Sequence, residues 1–205
     1  MNLVIRPATP EDAALAADLI ALSMGDYGDH ALGFGDHQRA VSLLSALFAL
    51  KVNRFSHDST VLGMLDGRVA GLLLGFPGNQ YFRRNLALAG QIPGILGMRE
   101  AWRLGIHSFP AALGKETEAD EFYIAQVATH PQFQRKGIGQ SLMSHAEELA
   151  RKARLHKVSL VVELDNEPAC ALYRKMGYTV AETIHTPQLA DRLHTRGYHR
   201  MVKEV

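Results

Sequence analysis

The chain has 205 residues, enough for one well-buried core and an elaboration upon it. Lys and Arg number 22 against 21 Asp and Glu, and 47% of the residues are hydrophobic, so the global balance lacks both the basic excess of a nucleic-acid binder and the composition of a disordered chain. A single cysteine, Cys170, excludes an intramolecular disulfide and a cysteine-rich zinc site, and no metal is expected.

The start, Met-Asn-Leu-Val-Ile-Arg-Pro, lacks the charged opening and apolar run of a secretory signal, and the apolar stretches are too short to span a bilayer. The expectation is a cytoplasmic protein with no membrane or nucleic-acid partner. Leu3–Arg6 reads as a strand. Thr9-Pro10-Glu11-Asp12 then has the chemistry of a helix start: a capping hydroxyl, a proline at the first helical position and two acids at the positive end of the dipole. Leu15, Leu19 and Leu22 supply that helix's apolar spacing, with Gly25 and Gly28 expected in the loop after it. A second helix, about His37 to Leu50, carries Val41, Leu44, Leu47 and Phe48 on one side. Thr60–Leu65 and Val69–Phe76 flank Asp66-Gly67, a strong hairpin signal, and Gly71, Gly75, Pro77 and Gly78 break the pattern as the second strand ends.

Residues 79–119 look helical but irregular and locally basic, with Arg83, Arg84, Arg99, Arg103 and Lys115. This is the elaboration, a helical insertion in one domain spanning 1–205. Phe122–Thr129, Gly137–Arg154 and Val158–Leu164 then read as a strand–helix–strand unit, the last strand apolar enough to be buried on both faces. A short helix over Asn166–Lys175 is stopped by Gly177, and strands follow at Tyr178–Ile184 and Tyr198–Val202.

The informative segment is Gln134-Arg135-Lys136-Gly137-Ile138-Gly139-Gln140, between a strand and a helix. Glycines admit a ligand close to the backbone, and the first helical amides lack partners, so an anion fits there; the alternative is a sharp turn. The spacing matches neither the Walker phosphate loop nor the full dinucleotide fingerprint, since Leu142 stands where the latter needs its last small residue.

Pro131–Gly139 resembles the acetyl-CoA signature of the GNAT superfamily of N-acetyltransferases, Gln/Arg-x-x-Gly-x-Gly/Ala. Asn166-Glu-Pro-Ala-Cys-Ala-Leu-Tyr-Arg-Lys-Met-Gly-Tyr178 is similar to the family's second signature, Asn-x-x-Ala-x-x-Leu-Tyr-x-x-x-Gly-Phe/Tyr, in the right order. The opening Ile5–Ala8 and the closing Arg200–Lys203 extend the resemblance over most of the chain, leaving 79–119 unexplained. It implies an α/β (α+β) fold: a mixed, mostly antiparallel central sheet of about six to seven strands flanked by helices.

The resemblance further implies an acyltransferase that uses acetyl-CoA as co-substrate and a small-molecule or peptide amine as acceptor. Gln134, Arg135, Lys136, Gly137, Ile138, Gly139 and Gln140 would hold the pyrophosphate. The amides of Val127 and Thr129 would polarise the thioester carbonyl and hold the pantetheine. Asn166 would contact the coenzyme arm, cap its helix, or both. Tyr173 matches the position that protonates the departing thiolate, which a phenol of ordinary pKa can do at neutral pH; in isolation it reads as packing. For the base, Glu121 is the most plausible carboxylate, with Tyr123 and Gln126 as water or substrate contacts; a solvated strand-end acid is the alternative. Asp26, His30 and His37 border the acceptor site in the resembled arrangement. Cys170 reads as a packed small side chain. The insertion would wall the acceptor pocket or form a homodimer surface. A CoA-binding sensor without turnover is the competing function.

Overall fold

A computed structural model describes residues 3–108, 115–186 and 196–205 of the chain. Seven strands form one sheet: β1 (Leu3–Pro7), β2 (Thr60–Leu65), β3 (Arg68–Pro77), β4 (Glu121–Thr129), β5 (Lys157–Glu163), β6 (Thr179–His185) and β7 (Gly197–Glu204). Their order is β1-β2-β3-β4-β5-β7-β6, and only β4 and β5 run parallel. This is the mixed, mostly antiparallel sheet that the sequence implies. The β2–β3 connection is the expected two-residue hairpin, with Asp66 at φ 50° and Gly67 at φ 77°, the positive values that a type I′ turn requires.

Helices α1 (Ala13–Gly33), α2 (His37–Ala49), α3 (Tyr81–Leu96), α4 (Met98–Ser108), α5 (Ile138–Lys152) and α6 (Glu167–Lys175) accompany the sheet. Two apolar clusters flank it. One joins Leu19, Ile20, Leu44, Leu47 and Phe48 of α1 and α2 to Leu72, Leu74, Phe76 and Tyr123. The other joins Leu142, Met143 and Ala146 of α5 to Phe122, Ile124, Leu160 and Tyr173. Among the described residues, no helix is long and apolar enough to cross a membrane.

Three expectations need correction. First, α1 does not stop before Gly25: it is interrupted there (φ 55°, ψ −148°) and resumes to Gly33, with Gly28 buried inside it. Glycine here permits close packing and a local break in direction, which composition cannot distinguish from a loop. Second, Leu15 and Leu22 are 55% and 48% exposed, and the inward face of α1 is Ala16, Ala17, Leu19 and Ile20, so small residues bring this helix close to its neighbours. Third, the insertion is less basic at its surface than its composition suggests. Arg84 is buried, donating to the Asn53 carbonyl at 3.1 Å and to Asp58 at 3.0 Å, and Arg103 pairs with Glu100 at 2.7 Å. Residues 109–114 of that span lie outside the described residues.

Candidate functional site

The site begins with an irregularity in β4. Leu74 is in register with Gln126 and Gly75 with Ile124, so Ala125 is an extra residue, a β-bulge. The bulge exchanges the faces. Tyr123 and Ala128 belong to the α1-side cluster, while Phe122, Ile124 and Val127 belong to the α5 side. It also bends β4, and pairing with β5 ends at Ile124↔Leu160. Beyond that point the two strands are separated by a gap.

Hydrogen-bond alternation decides which β4 amides face the gap. His130 donates to the Ala70 carbonyl at 2.9 Å and lies in register with it, so the residues that exchange bonds with β3 are 130, 128 and 126. The Val127 and Thr129 groups therefore point away from β3, toward the side where β5 no longer pairs. These are the two residues that the sequence assigns to an acyl-thioester ligand.

Below the gap, a turn over Pro131–Phe133 is held by the His130 side chain accepting from the Gln132 amide, and the chain enters α5 through Gln134–Gly137. Arg135 and Gly137 have φ of 59° and 79°, a left-handed pair of turns that aims successive amides outward. The first intrahelical bond of α5 is Ser141 to the Gly137 carbonyl at 3.0 Å, and no side chain caps the helix. The amides of Ile138, Gly139 and Gln140 thus lack intrahelical acceptors, and the dipole makes this end positive. A Cβ built on Gly137 meets no atom within 4 Å, and one on Gly139 comes to 3.4 Å from Thr129 Oγ1. Open space around Gly137 lets a ligand approach the backbone, and the uncapped amides that follow suit an anion such as a pyrophosphate. Gln134, Arg135, Lys136 and Gln140 are exposed, whereas the Ile138 side chain is buried and offers only its backbone.

Tyr173 of α6 is buried in the same cluster as Val127 and Ile138, with its ring 6.1 Å from that of Tyr178. Burial pushes its pKa up to about 12, so it remains a proton donor at neutral pH. Asn166 caps α6, accepting from the Ala169 amide at 3.2 Å, and is exposed. Cys170 is buried, with its thiol 3.8 Å from the Glu163 carbonyl oxygen and its pKa raised by that burial.

Glu121 is not a solvated acid. It is 2% exposed, and both oxygens are engaged: Oε1 accepts from Arg200, and Oε2 from the Glu118 amide at 2.8 Å and the Thr117 hydroxyl at 3.2 Å. Burial opposes its ionisation, but these donors prevail and hold its pKa low. Such a carboxylate fixes the segment before β4, and a buried, ion-paired anion with a lowered pKa is poorly suited to act as the base. Tyr123 is likewise committed, donating to Glu116. Gln126 accepts from the Ser23 hydroxyl at 2.5 Å.

Of the candidates on α1 and at the start of α2, Asp26 is exposed just after the Gly25 break. His30 stacks on His107, with ring centroids 4.3 Å apart. His37 pairs with Asp29 at 2.9 Å and faces a separate shallow cleft with Leu15, Leu22 and His130. Asp26 is near enough to Glu163, at the end of β5, to act on its carboxyl, whereas His37 is held by Asp29.

Sequence reasoning named Tyr123 but missed the polar group to which it belongs. Arg54 donates to Glu116 at 2.8 Å; Tyr81 and Tyr123 converge on the same carboxylate, and Tyr27 and Tyr198 stand within its field. Glu163, at the end of β5, was also overlooked. These seven residues come from seven different elements or connections, so no spacing rule links them.

The model of the acetyltransferase (GNAT) family matches residues 40–178. A putative [ribosomal protein bS18]-alanine N-acetyltransferase of Bacillus subtilis (strain 168) is 33% identical over 58 residues, covering 28% of this chain and 38% of that protein. The chain thus spans well under half the length of that relative. Among solved structures, an N-acetyltransferase from Staphylococcus aureus Mu50 superposes with a TM-score of 0.75 at 22% identity, covering 98% of this chain and 100% of the other. The PaiA N-acetyltransferase from Thermoplasma acidophilum, solved in complex with coenzyme A, gives 0.57 at 14% identity, with 100% of both chains covered.

Proposed function

Because the chain belongs to the acetyltransferase (GNAT) family, with the family model matching 40–178, we propose that it transfers an acetyl group from acetyl-CoA to a primary amine of a small molecule or peptide by direct attack. The observation that carries this reading is the pairing of two donor sets on one gap: the outward amides of Val127 and Thr129, and the uncapped amides of Ile138, Gly139 and Gln140. Acetyl-CoA, when bound, supplies an activated thioester.

The Gln134–Gln140 backbone takes the pyrophosphate, with Arg135 and Lys136 adding positive charge at its edge. The Val127 amide donates to the thioester carbonyl, where negative charge develops during attack, and Thr129 holds the pantetheine as an added strand would be held. Asn166 contacts the coenzyme arm from the cap of α6. Tyr173, kept neutral by its burial, gives its proton to the departing sulfur. A peptide acceptor is supported by the name of the Bacillus subtilis relative, although the match covers only 38% of that protein.

A thermal-shift comparison of acetyl-CoA with ATP and NAD tests the cradle. Stabilisation by acetyl-CoA alone is expected, and equal stabilisation by all three would overturn its assignment.

A further inference from the structure

The parallel strands β4 and β5 part after Ile124↔Leu160. Beyond that point Val127 and Glu163 stand on opposite lips of the gap. Alternation along β5 places Val158, Leu160 and Val162 in the α5-side cluster and Ser159, Val161 and Glu163 on the face toward α1. The side chain of Glu163 thus flanks the gap on the face away from the pyrophosphate cradle, where an acceptor can enter without crossing the coenzyme.

Its surroundings are specific. Tyr198 of β7 lies in register with Glu163. Asp26 and Tyr27 follow the Gly25 break in α1, and Asp26 is near enough to act on the Glu163 carboxyl. Asp165 is also close but is committed to Arg196 at 2.5 Å, and the Cys170 thiol lies on the Glu163 backbone carbonyl. Among the described residues, the charged groups that act on the Glu163 carboxyl are the acids Asp165 and Asp26, and Glu163 forms no ion pair. Two further acids, Glu121 at the opposite end of the β4–β5 pair and Glu116 before β4, are occupied by Arg200 and Arg54. The Glu163 carboxylate is half-buried and accepts no hydrogen bond among the described residues. Burial first, then Asp165 and Asp26, raise its pKa, the direction that suits a base working near neutral pH.

We infer that Glu163 is the proton acceptor for the attacking amine, and that Asp26 and Glu163 together make this mouth of the gap select alkylammonium acceptors. This rests on the acetyl-transfer reading above. The Glu163 carboxylate removes one proton from the ammonium. The freed nitrogen lone pair forms the C–N bond to the thioester carbon, the C–S bond breaks, and the sulfur takes a proton from Tyr173. The second nitrogen proton lost in forming the amide returns to the Tyr173 oxygen through water, so charge and protons balance over the cycle with Glu163 releasing its proton to solvent.

The test compares wild type, Glu163→Gln, Glu163→Asp and Asp26→Asn in a thiol-release assay over a range of pH, with acetyl-CoA affinity from calorimetry. Glu163→Gln should lower kcat about 100-fold or more and abolish the acidic limb of the kcat/KM profile, with acetyl-CoA affinity unchanged. Glu163→Asp should restore the limb, which a packing role would not do. Asp26→Asn should raise KM for an alkylammonium acceptor about 2- to 5-fold. An active wild type whose Glu163→Gln variant keeps both turnover and the acidic limb would overturn the inference and leave acetyl transfer intact. A wild type that binds acetyl-CoA but releases no CoA with any amine would overturn both.

Discussion

Gly137→Glu separates the two things that this glycine does. Its φ of 79° lies where an L side chain costs roughly 1–2 kcal/mol, so Gly137→Ala, whose Cβ meets no atom within 4 Å, should lose about that much stability and retain the fold. The glutamate variant adds a negative charge above the amides of Ile138, Gly139 and Gln140. A carboxylate brought within about 5 Å of a phosphate charge, at an effective dielectric between about 20 and 80, costs roughly 1–3 kcal/mol. That corresponds to about a 5- to 150-fold rise in Kd for acetyl-CoA beyond whatever the alanine variant shows. Calorimetric titration of both variants, with unfolding monitored in parallel, reads the two terms independently. Equal acetyl-CoA affinity in Gly137→Glu and wild type would refute the pyrophosphate cradle.

Tyr173→Phe should cut turnover about 10- to 100-fold while leaving acetyl-CoA affinity unchanged, and because the wild-type phenol has a pKa near 12, no basic limb from it should appear below pH 9; undiminished turnover at saturating substrate would remove its acid role. Arg200→Met leaves the Glu121 carboxylate buried without its cation and should cost about 3–5 kcal/mol in denaturant unfolding. The folded-state pKa of Glu121 is depressed, so its contribution is present above the unfolded carboxyl pKa and is lost as pH falls through the folded value. Arg200→Met should therefore flatten the acid side of the stability profile. Glu121→Gln, by contrast, should keep most of its turnover in the thiol-release assay, because that carboxylate is a fastening of the chain rather than the base.

Local chemistry made much of the fold legible. The Asp66-Gly67 turn, the apolar run of β5, and the strand–loop–helix around Gln134–Gly139 are each encoded within a few neighbouring residues. The coenzyme half of the candidate site lies in such a segment, and this is why two short motifs could point to it. The acceptor half does not. The Ala125 bulge depends on how β3 and β4 settle against two different cores, and its effect, reversing the faces of Tyr123 and Val127, is invisible to a period-two reading of β4. Gly25 and Gly28 read as loop because glycine signals both a turn and a close approach. Glu121 read as a base or a solvated strand-end acid because its partner, Arg200, is 79 positions away in the chain. Glu163 looked like the ordinary end of a buried strand until the divergence of β4 exposed its flank.

The most direct test of the account is amine-dependent release of CoA from acetyl-CoA by the wild-type protein, across a panel of alkylamines, polyamines and peptide amino termini, with the acetylated product identified by mass. The account predicts release only when a primary amine is present, matched one for one by the acetylated amine. Tight acetyl-CoA binding with no amine-dependent release across the whole panel would contradict it.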